Sequence, residues 1–145
     1  MSDNTLEQIV IDVTPEQIIT EWIDDLRTTD ALQGSGYLAQ KGEHGIEYCC
    51  LGRLSEIGVK HGLLARIDGD VTVCYRWQDD NPREDILPQG FAEWLGIDQD
   101  PEINDENLKA STANDDYFES FAEIAVQVHA HILPRIKGVQ HADQA

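Results

Sequence analysis

The chain has 145 residues, 41% of them hydrophobic, and sets 28 acidic side chains against 10 basic ones for a formal net charge of −18. That length suits one domain burying roughly 70% of its unfolded surface; the composition excludes wholesale disorder, and no apolar run approaches the ~18 residues of a membrane span. A field this negative repels nucleic acid and anionic membranes and draws in basic protein surfaces. It reads either as a solvated acidic exterior with no specific role or as a surface for a protein partner with a basic surface, and in neither case for DNA, RNA or a bilayer.

The start, MSDNTLEQIVID, carries Asp3 and Glu7 without a basic region, unlike a secretion or transit signal. A cytoplasmic location is therefore expected, where thiols stay reduced and disulfides are disfavoured. Residues 1–13 read as a polar lead whose apolar patch Ile9-Val10-Ile11 suits either a short strand or a flexible arm. At Thr14-Pro15-Glu16-Gln17 a helix begins: Thr14 can cap, Pro15 suits the first turn and Gln17 can complete a capping box. Ile18, Ile19, Trp22, Ile23 and Leu26 recur at helical spacing, and the helix ends near Thr28. Gly34-Ser35-Gly36 breaks structure, and Tyr37 to Gly42 reads as a short strand or turn.

From Tyr48, the spacing of Cys50, Leu54 and Ile57 predicts a short helix with Gly58 at its C-terminal cap; a short strand is the rival, because Gly52 weakens a helix. LLARI, Asp68-Gly69 and VTVCYRW predict a hairpin turning on Asp-Gly, with Val71, Val73, Tyr75 and Trp77 on one face. The acidic loop QDDNPREDILP follows. Pro88 opens a short helix that buries Phe91, Trp94 and Leu95 and closes at Gly96. Residues 98–116 form a second acidic connector with a short strand at 107–111. Asn114, Asp115 or Asp116 then caps a last long helix whose stripe runs through Phe118, Phe121, Ala122, Ala125, Val128 and Ile132 to Pro134. Residues 135–145 read as a frayed tail. The expected fold is one α+β domain over 14–134, with two long and two short helices packed on a β-hairpin or small antiparallel sheet.

Cys49 and Cys50 are adjacent, whereas structural zinc sites separate paired thiols so that both can turn to one ion. Cys74 with His44 or His61 could complete a set only in space, and a nucleophile would need His61 as its base. The favoured reading is packing, with free cysteine acting as a small hydrophobe. His129 and His131 stand about 200° apart on a helix, the wrong spacing for shared ligation. No calcium-loop, phosphate-loop or zincin motif occurs, and Asn114-Asp115-Asp116 is better explained by a helix cap than by a catalytic carboxylate. No catalytic residue, metal or cofactor is assigned. The candidate partner-binding residues are Asp79, Asp80, Glu84, Asp85, Asp98, Asp100, Glu102, Asp105 and Glu106.

WIDDLR at 22–27, YCCLGRL at 48–54 with Gly58, Leu87-Pro88, Trp94-Leu95-Gly96, Asn114-Asp115 and Phe121, Ile124 and Ala125 stand in one order. That order resembles an uncharacterised family of small proteins encoded by tailed bacteriophages and prophages. Arg53 and Ser55 depart from its pattern, where apolar residues or cysteine are commoner. The resemblance implies a phage setting, with the host cytoplasm as location, and no particular chemistry. With the charge, it favours a non-enzymatic accessory protein that binds its partner through acidic surfaces, as a nucleic-acid mimic or in counter-defence. Two alternatives stay open: a small enzyme or nucleotide-binding protein with a pocket near Cys49 and His61, and a virion structural or assembly protein.

Overall fold

The structure is a computed structural model that describes residues 13–136; the lead through residue 12 and the tail from residue 137 lie outside the described residues. Helix α1 (Pro15–Thr28) is followed by β1 (Leu32–Gln33), β2 (Ala39–Gly42), β3 (Gly45–Tyr48), α2 (Cys50–Lys60), β4 (Leu64–Asp68), β5 (Thr72–Trp77), α3 (Gln89–Leu95), α4 (Ala110–Asp115) and α5 (Phe121–Gln127). The strands form one sheet in the order β1-β3-β2-β5-β4, antiparallel except for the β1–β3 pair. The fold is α+β, but its sheet is mixed and five-stranded. The extra strands are β1, two residues long and too short for a period, and β3, which ends at Tyr48, two residues before α2 begins.

Helix α1 starts as its cap residues require: Gln17 N–H donates to Thr14 Oγ1 at 3.1 Å, and Thr14 N–H donates to Gln17 Oε1 at 2.8 Å. Its buried stripe packs against α2, α3 and α5, so Trp22 lies at the centre of the core. Helix α3 also ends as expected, with Gly96 in the left-handed region at φ 83°. Trp77 packs there on Phe91 and Trp94, with ring centroids 6.1 and 6.5 Å apart.

Elsewhere tertiary packing moved the boundaries. Gly58 lies inside α2, which runs on to Lys60; a Cβ at 58 would come within 2.9–3.0 Å of Leu64 and Phe91, so glycine is required by close approach rather than by a cap. In the β4–β5 hairpin the register that turns Val73 and Tyr75 inward pairs Asp68 with Val73. The turn therefore moves beyond Asp68-Gly69: Gly69 N–H donates to Thr72 O at 2.9 Å, and Asp70 and Val71 form the tip, with Val71 exposed.

The strand expected at 107–111 is replaced by a single bridge, Glu102 to Lys109, and by α4. The last helix begins at Phe121, because Ser120 and Glu123 form a complete capping box while Asn114 turns its side chain inward. Phe118 and Ala122 are thus exposed, outside the buried stripe.

Pro134 does not end this helix. Val128–Ile132 widens into a π turn, with Leu133 N–H donating to Val128 O, and the chain stays helical over 133–136. The wider turn relieves the clash between a proline ring and the carbonyl one turn earlier. Ile136 is fully buried, so the core extends past 134.

Candidate functional site

The two cysteines open α2, where a helix leaves N–H groups without partners. Cys49 is the N-cap residue, and its Sγ accepts from Gly52 N–H at 3.4 Å. The next free donor, Cys50 N–H, is taken by Asn114 Oδ1 at 3.2 Å. Asn114 is only 2% exposed and is fully used, since Oδ1 also accepts from Gln33 at 2.8 Å while Nδ2 donates to Gly34 O at 2.7 Å and to Asp115 at 2.8 Å. Cys50 Sγ lies 3.5 Å from Ala110 O, and Trp22 Nε1 donates to Cys50 O at 2.9 Å. Gly52 lets the helix close on β2: a Cβ there would fall 1.7 Å from Leu38 O.

This environment disarms the thiols. A helix N-terminus ordinarily favours a thiolate, but burial dominates and pushes Cys49 up to about 12 and Cys50 well above the usual thiol range. With both sulfurs buried, neither faces an open cleft. His61 Nε2 lies 2.7 Å from Glu21. Among the described residues no three His, Cys, Asp or Glu side chains gather to hold a metal ion. His129 is exposed on the π turn, while His131 is half-buried and faces Asp105.

Three of the chain's 10 basic side chains pair with carboxylates of α1 and α2. Arg53 makes two hydrogen bonds to Asp25, at 2.8 and 2.9 Å, with its guanidinium 4.7 Å from the centre of the Tyr48 ring. Arg53 therefore joins α2 to α1, and Ser55 on the same helix donates to Leu51 O. Lys60 pairs with Glu21 at 2.6 Å. Burial raises the Glu21 carboxyl, but Lys60 and His61 outweigh it and hold the group below the usual range. Arg66 pairs with Glu56 at 2.7 Å, and Glu56 also accepts from the buried Tyr75 hydroxyl at 2.6 Å. Burial, reinforced by that bond, drives the Tyr75 phenol up.

The nine candidate acidic residues divide into two groups. Glu84 accepts from Thr72, Asp85 pairs with Arg83, Asp100 accepts from Ser111 N–H at the start of α4, and Asp105 lies 3.4 Å from His131. Asp79, Asp80, Asp98, Glu102 and Glu106 have no cation within pairing distance among the described residues. Asp98 and Glu102 come together with Glu93 and Arg135 around a floor of Ile97 and Ile132, in a groove of about 390 Å³. Asp80 lines a separate groove with Asn81, Arg83, Gln89 and Gln99. Sequence reasoning missed Glu93 and Arg135. Ile136 continues the stripe of Val128 and Ile132 at helical spacing, and that signal would have carried the helix, and Arg135 with it, to the groove.

Residues 15–131 match the profile of a protein family described as Domain of unknown function (DUF8296). The chain belongs to this family. No curated protein and no solved structure matches it. Within this DUF8296 domain, no described helix is long and apolar enough to cross a membrane.

Proposed function

We propose that this DUF8296 protein is a non-enzymatic accessory protein of the bacteriophage type that binds a basic protein surface, with the Glu93, Asp98 and Glu102 groove as its main contact. The observation that carries this reading is the separation of charge. Arg53, Lys60 and Arg66 are spent on carboxylates of α1 and α2, whereas Glu93, Asp98 and Glu102 share a groove with a single cation, Arg135, and neither Asp98 nor Glu102 has a cation within pairing distance among the described residues. A lysine or arginine stem fits over Ile97 and Ile132 with its charge reaching the rim. Such a surface imitates the charge of a nucleic acid toward a protein that binds one, which suits counter-defence.

The test is affinity capture from bacterial lysate at low and high salt, using the wild type and an Asp98→Asn, Glu102→Gln double variant. Exposed charges are screened over about 8 Å at physiological ionic strength, so a partner held at low salt should be released at high salt and recovered less by the double variant. A partner retained equally under both salts and by both proteins would overturn the reading.

A further inference from the structure

Between α4 and α5 the chain presents Tyr117 and Phe118, 65% and 79% exposed. Phe118 adopts φ 53°, a left-handed conformation natural to glycine and uncommon for a bulky side chain. Hydrogen bonds on both sides impose it: Tyr117 N–H donates to Thr112 O at 3.2 Å, Glu119 N–H to Ala113 O at 3.0 Å, and Gln33 Nε2 to Glu119 O at 2.7 Å. The strained backbone opposes folding while the exposed ring returns almost no burial energy to offset it, and a site that bears both points to a use outside the fold.

The surroundings say what the ring could meet. Phe118 borders a groove of about 430 Å³ with Gln33, Ser35, Gln40, Glu47 and Asn114. Asn114 and Gln33 are committed to the α2 junction, which leaves Glu47 as the charged group of this groove. Its carboxylate is half-buried, has only a 3.5 Å contact from Gln40 Nε2, and pairs with no cation among the described residues. Asp116, two residues before Phe118, is exposed and likewise unpaired.

We infer that Phe118 and Glu47 form an anchor for a cationic segment of the protein partner, the aromatic face taking an arginine side chain whose guanidinium reaches the Glu47 carboxylate. Aromatic face and carboxylate together select a planar cation over a neutral or anionic group. The inference rests on the acidic-surface reading and adds a second contact on a different face.

Calorimetric titration with a short arginine–glycine peptide at low salt tests it on wild type, Phe118→Gly, Glu47→Gln and the Asp98→Asn, Glu102→Gln variant. Phe118→Gly should bind the peptide roughly three- to thirtyfold more weakly, while melting at the same or a higher temperature, because glycine adopts this φ without strain. Glu47→Gln should weaken binding without touching the ring. Equal binding by wild type and Phe118→Gly would overturn the anchor, as would equal binding of a neutral phenylalanine–glycine peptide or no peptide binding at all. A concentration-dependent dimer lost in Phe118→Gly would assign the ring to a second copy and also overturn it. Loss in Phe118→Gly without loss in the Asp98→Asn, Glu102→Gln variant would sink the groove of the general reading and leave the anchor standing; the reverse pattern would do the opposite.

Discussion

At the start of α2 and along the rim around Asp98 the protein handles polar groups in opposite ways. The first region is closed: Asn114, Trp22 and Cys49 each meet a backbone group, and among the described residues no buried side-chain nitrogen or oxygen lacks a partner. The second is open: Asp98 is exposed, Glu102 half-buried, and neither has a cation within pairing distance among the described residues, with Arg135 the one cation lining the groove. Satisfied polar groups in a dry interior specify one arrangement, because leaving any of them unpaired costs the full desolvation penalty. Unpaired charges at the surface cost little individually and project a field that a partner can use. The difference teaches that the residues most distinctive in the sequence, the cysteine pair with its glycine, build the molecule, while plainer acidic residues face outward.

Four changes would break or sharpen that contrast. Gly52→Ala should be the most damaging, by about 3 kcal/mol or more, because the new Cβ meets the Leu38 carbonyl of the backbone and cannot be absorbed by a rotamer change. Chemical denaturation reads it; a loss below about 1 kcal/mol would mean that α2 is free to move away from β2. Asn114→Ala should cost about 3 kcal/mol by orphaning Cys50 N–H and Gly34 O together, measurable by the same titration. A change near zero would show that the junction is not what holds α2.

The thiols give a smaller, pH-dependent effect. The folded pKa of Cys49 is raised from 9.0 to about 12, so its contribution to stability is complete below about 9 and is lost as pH rises toward 12. Cys49→Ser, which keeps a capping oxygen, should flatten that part of the alkaline decline in melting temperature. In native protein at neutral pH a thiol reagent should label Cys74 ahead of Cys49 and Cys50, which are buried; equal labelling would mean that the junction opens. Smallest of all, the Asp98→Asn, Glu102→Gln variant should melt within a degree or two of wild type, on the order of 0.5 kcal/mol, since neither carboxylate supports a contact. A large shift would move these residues from the open region to the closed one.

How far this was legible depends on the range of each interaction. The capping box at Thr14, the stripe of α1 and the Gly96 stop are local features, written within a few residues of each other, and they stand where the pattern puts them. Other features needed partners far along the chain. Asn114 looks like a cap for the helix that follows it, yet it serves a helix 64 residues earlier, so its role was invisible in its neighbourhood. Pro134 looks like a stop until the π turn ahead of it is known. The groove needed α3, the connector after it and the last helix to converge, and no spacing in the sequence announces that.

By itself, then, the sequence determined the α+β character, the first helix, the core stripe, the packing role of the cysteines and the excess of negative charge, because composition and short-range periodicity encode each of these. Only the tertiary structure decided the five-stranded mixed sheet, the displaced hairpin turn, the division of the last helical region at Ser120, and which carboxylates are spent on cations or hydroxyls and which face solvent. Those outcomes depend on contacts between residues distant in the chain, whose strength is set by burial and geometry that no local pattern records.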